Sequence, residues 1–171
     1  MSAQRPETLL ITLTGKDRPG VTSSMFSTLA LAGVEVIDLE QIILRRRLIL
    51  GVLVSAPRDW KKLATAVEAT AAALDMTVEI ERGSGDNRAR REGRSHVTVI
   101  GTPLRAAAMA AVAGRIADTG GNIDRIERMA RYPVTAIDLF VSGSDPDTLR
   151  TLLASEAAQQ GIDIAVQPAT M

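Results

Sequence analysis

Leu9, Ile11 and Leu13 alternate with Leu10, Thr12 and Thr14, and a period of two predicts a half-buried strand. Val21, Met25, Leu29 and Ala32 then recur at helical spacing, with Gly33 as the stop. Val34–Leu44 is rich in β-branched residues and reads as a strand, Arg45-Arg46-Arg47 as its turn, and Leu48–Val54 as a nearly all-apolar return strand. Pro57 breaks the chain. Leu63, Val67, Thr70 and Leu74 mark a second helix, and Met76, Val78 and Ile80 alternate with Thr77, Glu79 and Glu81 as a fourth strand. The order is β-α-β-β-α-β.

The Gly- and charge-rich run after Arg82 holds no large apolar residue and reads as a linker. The same order then repeats. His96–Ile100 is a strand, and Met109, Val112, Ala113 and Ile116 share a helix face that ends at Gly120-Gly121. Asn122–Met129 and Val134–Val141 form a strand pair turned around Arg131-Tyr132-Pro133. Asp145-Pro146-Asp147 opens a helix carrying Leu149, Leu152, Leu153 and Ala157, Gly161 stops it, and Ile162, Ile164 and Val166 make the last strand. The expected organisation is a unit over 7–82, a linker over 83–94 and a second unit over 95–168.

Each unit has the split βαβ, ferredoxin-like order of the α+β class, an antiparallel sheet covered by helices on one face. Leu48, Ile49, Leu50, Val52, Leu53 and Val54 place apolar residues on both faces of one strand, whereas a sheet wetted on one side alternates more cleanly. A second sheet or a paired edge is therefore expected to cover it, which points to side-by-side units and a homodimer.

Composition narrows the function. The 171 residues carry twenty acidic and twenty basic side chains, for a formal net charge of zero. No global field draws nucleic acid or anionic lipid, and 2% aromatic content leaves few rings to stack on bases. Cysteine is absent and His96 is the single histidine, so neither a metal site nor a cofactor is expected. The N-terminus shows no signal pattern and no apolar run reaches spanning length, so a cytoplasmic protein is expected.

The candidate chemistry lies in the turn after the first strand, Gly15-Lys16-Asp17-Arg18-Pro19-Gly20-Val21. A strand running through such a turn into a helix points unpaired backbone N–H groups at one spot, a seat for a carboxylate or phosphate. Asp17, Pro19 and Gly20 also have a purely structural role open to them, as an acid near the cap, a preset φ and a tight turn. Gly101 matches Gly15 at the end of its strand, but Thr102-Pro103-Leu104-Arg105 lacks the Asp and the Pro-Gly pair.

A strand, then Gly-x-Asp-x-Pro-Gly-Val, then a helix ending Ala-Gly-Val-Glu-Val resembles the ACT domain, a regulatory module for small amino acids. Leu10–Ser23, Leu39-Glu40-Gln41, Leu48–Ser55, Gly121-Asn122-Ile123-Asp124 and Tyr132-Pro133-Val134-Thr135 resemble the N-terminal half of actinobacterial phosphoserine phosphatases, over about residues 8 to 168. The resemblance implies tandem ACT domains, L-serine or a similar amino acid as ligand, and regulation of a haloacid-dehalogenase-type catalytic domain that should begin where this chain ends. The nearest look-alike of that domain's Asp-x-Asp-x-Thr signature, Asp145-Pro146-Asp147-Thr148, reads instead as a helix start, so the chain itself is expected to catalyse nothing. In ACT pairs the ligand touches one unit's loop and the other's second-strand start. That adds Asn122 and Ile123 to Gly15, Asp17, Pro19, Gly20, Val21 and Gly101, although Asn122 also suits a plain turn after two glycines. A free-standing regulator resembling the glycine-cleavage repressor and a purely structural dimerisation domain are the alternatives.

Arg45-Arg46-Arg47 reads as a solvated tip and Trp60 as packing at a helix start. Asp38, Glu40 and Asp138 on strands leave salt bridging and ammonium binding both open.

Overall fold

The computed structural model describes residues 5–85 and 94–169, which fall into two compact units, one within Met1–Arg88 and the other within Ala89–Met171. The first runs β1 (Glu7–Lys16), α1 (Val21–Leu31), β2 (Val36–Leu44), β3 (Arg47–Ser55), α2 (Trp60–Ala73) and β4 (Thr77–Ser84). The second runs β5 (Ser95–Gly101), α3 (Ala106–Asp118), β6 (Asn122–Ala130), β7 (Thr135–Ser142), α4 (Pro146–Gln160) and β8 (Asp163–Pro168). Each unit is a four-stranded antiparallel sheet, ordered β2-β3-β1-β4 and β6-β7-β5-β8. β4 continues through Gly83 and Ser84, two residues into the segment read as linker, because Thr8 and Glu7 of β1 pair with them. Residues 86–93 of that segment lie outside the described residues.

Alternation sets the cores. Leu9, Ile11 and Leu13 of β1 and Leu48, Leu50, Val52 and Val54 of β3 turn to one side and bury against Val21, Met25 and Leu29 of α1 and Leu63, Val67 and Ala71 of α2. At about 25 cal/mol per Å2 of apolar surface removed from water, such burial is the main force holding the unit together. In the second unit Val97, Val99, Leu139 and Val141 meet Val112, Ile116, Leu149 and Leu153. Strand β2 is the exception: an edge strand, it leaves Val36, Ile37, Leu39, Ile42, Ile43 and Leu44 exposed.

Polar ties fasten the helices to one another. Thr28 and Thr70 share a 2.6 Å hydroxyl–hydroxyl hydrogen bond between α1 and α2. Arg115 of α3 donates from Nε to Oε1 of Glu156 of α4 at 2.8 Å, and Glu156 is buried. That hydrogen bond, and then the carboxylate's charge, raise the guanidinium's pKa. At the start of α4 the Asp145 carboxylate accepts from the Thr148 N–H at 2.9 Å and from its hydroxyl at 3.0 Å, with Pro146 as the first helical residue. These bonds hold the Asp145 pKa below the usual carboxylate range. Both ends of the Asp-x-Asp-x-Thr look-alike are thus engaged in starting a helix. Trp60, half-buried on the first core, lies under the Arg82 guanidinium at 5.3 Å, and Arg82 grips both carboxylate oxygens of Glu7 at 2.6 Å.

Arg115→Ala strands the buried Glu156 carboxylate and lowers the melting temperature by several degrees, while Arg115→Met with Glu156→Leu recovers most of the loss, because an apolar pair needs no partner charge. Asp145→Ala destabilises the protein at neutral pH. A carboxylate with a depressed folded pKa stabilises above its unfolded pKa, about 3.9, and loses that contribution as pH falls through the folded value. The gap between wild type and variant, followed by denaturant melts, therefore closes in acid.

Candidate functional site

Five of the sequence candidates meet at one corner of the first unit. β1 carries Gly15 opposite Leu48 and Lys16 opposite Arg47. Just past it the Asp17 N–H donates to the Arg46 carbonyl at 2.8 Å, tying the loop to the β2–β3 turn. Arg18 pins the loop from another side, its Nη2 donating to the Leu74 carbonyl at the end of α2 at 2.7 Å. Gly20 is the N-cap of α1, at φ 92° and ψ −8°. A glycine holds that left-handed conformation at no steric cost. The first bond of the helix runs from the Ser24 N–H to the Gly20 carbonyl at 2.9 Å, which leaves the N–H groups of Val21, Thr22 and Ser23 without intrahelical acceptors.

The cap is where sequence and structure part. The acid expected near it, Asp17, makes no capping hydrogen bond, and no side chain caps α1. Asp17 is half-buried and serves through its backbone. Pro19 and Gly20 are exposed, and no atom lies within 4 Å of where a Gly20 Cβ would stand, so the corner is open. The Val21 side chain is buried in the core and brings only its N–H to the corner. Gly15 serves packing, since a Cβ there would collide with Met76 Sδ.

Pattern alone missed Gln41. The Thr22 hydroxyl, in the first turn of α1, donates to Gln41 Oε1 at 2.6 Å, which brings a side-chain amide from β2 beside the free N–H groups. One signal was available: Gln41 is the amide in the otherwise apolar and acidic run Val36–Leu44. The corner thus combines oriented donors and the positive end of a helix, suited to a carboxylate, with an amide that can orient a second polar group.

The second unit arranges its candidates differently. Gly101 ends β5, where a Cβ would stand 2.8 Å from the Leu104 backbone Cα, so the glycine admits its own loop. Asn122 opens β6 opposite Ser142, exposed, and its Nδ2 donates to Asp124 Oδ1 at 2.6 Å. Ile123 packs against the second core. The register sets Gly101 opposite Thr135 and Asn122 opposite Ser142, so the two lie at opposite ends of this sheet. His96 packs edge-on against Phe140, ring centroids 4.4 Å apart. Among the described residues no group of three or more His, Cys, Asp or Glu is placed to hold a metal, and no helix is long and apolar enough to cross a membrane.

Known proteins align with this geometry unit by unit. Residues 7–81 match one family model described as an ACT domain, and residues 94–167 match another of the same description. A phosphoserine phosphatase of Streptomyces coelicolor is 51% identical over 161 residues, covering 93% of this chain and 39% of that protein. Phosphoserine phosphatase SerB2 of Mycobacterium tuberculosis is 40% identical over 164 residues, again 93% of this chain and 40% of the relative. The chain thus spans about two-fifths of the length of these curated relatives. Among solved structures, a protein of unknown function from Galdieria sulphuraria superposes with a TM-score of 0.80 at 20% identity, covering 96% of this chain and 99% of that one. A putative glycine cleavage system transcriptional repressor superposes at 0.71 and 15% identity, covering 96% and 98%. At such identities the two structures share the fold alone.

The glycine geometry makes a prediction that separates packing from ligand access. Gly101→Ala is expected to cost about 1–3 kcal/mol by overpacking against the Leu104 backbone. Gly83→Ala, with open space at its Cβ, should shift stability by less than about 0.5 kcal/mol. Urea melts of both variants check the pair.

Proposed function

The chain belongs to the ACT-domain family, with one such domain in each of its two units, and on that footing we propose that it is an amino-acid-binding regulatory module of a phosphoserine phosphatase, with L-serine as its ligand. The observation that carries the reading is the open corner at Gly20, where unpaired helix-start N–H groups stand beside the Thr22–Gln41 hydrogen bond. The three N–H groups receive the ligand's carboxylate, and the Gln41 amide oxygen offers an acceptor for its ammonium. Identities of 51% and 40% with two phosphoserine phosphatases support that enzyme as the regulated partner. The engagement of Asp145 and Thr148 in a helix cap supports a non-catalytic role for this segment.

Regulation then requires that serine bind two arrangements of a cytoplasmic homodimer with unequal affinity, since a ligand shifts an equilibrium only by its differential affinity. The fold shared with the glycine cleavage repressor keeps glycine in the panel of ligands to compare.

Titration calorimetry tests the reading. L-serine is expected to give saturable heat, and Gly20→Val to weaken it more than about tenfold, or ~1.4 kcal/mol. Valine at a positive φ strains the loop by about 1–3 kcal/mol, within what a folded domain tolerates, so circular dichroism should stay native. Gln41→Leu, distant in sequence from the loop, should weaken serine as well. Undiminished heat in both variants would move the site elsewhere. Silence of the wild type toward every amino acid would leave a dimerisation domain.

A further inference from the structure

The face of the first sheet turned away from α1 and α2 is both aliphatic and charge-patterned. Directly paired residues share a face, so the register writes it out in rows. At one end lie Leu44, Arg47 and Lys16; next come Ile42, Ile49 and Thr14. The third row is Glu40, Gly51, Thr12 and Glu79, the fourth is Asp38, Leu53, Leu10 and Glu81, and beyond it Thr8 lies between Ser55 and Gly83. One end is therefore basic and the other acidic, with aliphatic side chains between.

Arg45 and Arg46 extend the basic end. Both occupy the left-handed region, at φ 47° and 65°, in a two-residue hairpin turn where Asn-Gly is the unstrained choice. Among the described residues no carboxylate pairs with Lys16, Arg45, Arg46 or Arg47. Meanwhile Ile42, Leu44, Ile49 and Leu10 remain between 37% and 51% exposed. The corresponding face of the second unit answers its own needs: Thr98 donates to Asp138 at 2.6 Å, His96 packs on Phe140, and Arg125 covers that ring and pairs with Glu127.

We propose that the exposed face of the first sheet packs against the same face of a second copy of this chain, about a two-fold axis running across the strands. The inference rests on the homodimer of the preceding reading and adds its surface and its symmetry. Face-to-face sheets pack about 10 Å apart with aligned strands, and a two-fold makes the contact self-complementary. An axis along the strands would stack each row on itself and set the Arg47–Lys16 pair of one copy over the same pair of the other. An axis across the strands reverses the rows. The basic end of each copy then covers the acidic end of the other, within reach of Glu81. The same axis sets Ile49 of one copy over Gly51 of the other, where no atom lies within 4 Å of a would-be Cβ, so a protrusion meets a hollow.

Sedimentation equilibrium of the full chain tests this with two charge reversals, Lys16→Glu with Arg47→Glu, and Glu79→Lys with Glu81→Lys. Each variant alone cancels the net charge of one end, sets its new side chains against like charges on the other copy, and should dimerise about a hundredfold more weakly than wild type. An equimolar mixture of the two should recover dimers, as should the chain carrying all four changes. Gly51→Val, which fills the hollow without altering charge, should weaken the dimer while circular dichroism stays native. Charge-reversed variants that dimerise like wild type would overturn this surface and leave a homodimer through the β2 edge standing. A wild type that sediments as a monomer would overturn the surface and the homodimer together.

Discussion

Two helices can cover one face of a four-stranded sheet and no more. Everything distinctive here follows from that limit. On the covered side, Leu9, Ile11, Leu13, Leu48, Leu50, Val52 and Val54 are committed to a core, and the second unit repeats the solution with Val97, Val99, Leu139 and Val141. On the uncovered side the two units diverge. The first keeps aliphatic residues and segregated charge; the second carries a hydroxyl–carboxylate hydrogen bond, an aromatic pair and a stacked arginine. The two units match on the side that folding depends on and differ on the other.

The corner at Gly20 obeys a related constraint. A helix that starts on glycine has no side chain to occupy its own first N–H groups, whereas α4, which starts on Asp145, satisfies its first turn internally. The same chain therefore contains a helix start closed by its own carboxylate, at α4, and helix starts without a side-chain cap, of which α1 begins on a glycine. Helices α1 and α4 differ by a residue type that sequence displays and a backbone angle that it does not.

Much of the fold was legible because alternation and helical spacing are local. The strands around Leu9–Leu13 and Leu48–Val54, the helices on Met25 and Val112, and the stop at Gly161 stand where those periods place them. What escaped is tertiary. The run Val34–Leu44 reads as an apolar strand, yet its position at the sheet edge leaves most of it in solvent. Gly15 and Gly101 were readable as candidate site glycines, whereas the packing of Met76 and Leu104 against them, supplied by the folded chain, was not. Asp17 reads as a cap and acts instead through its N–H on Arg46, a partner that strand register alone brings near. Gln41 reached the corner the same way: one continuous segment was readable, and its cross-strand neighbours were not.

Trp60 is the single tryptophan, and it sits against the first core beneath a guanidinium. Its emission reports on one half of the molecule, quenched or shifted as Arg82 and Glu7 let go, while the other half melts without an indole signal of its own. The chain is optically lopsided. Fluorescence set beside far-ultraviolet ellipticity can therefore reveal whether the duplicated halves come apart together or one at a time.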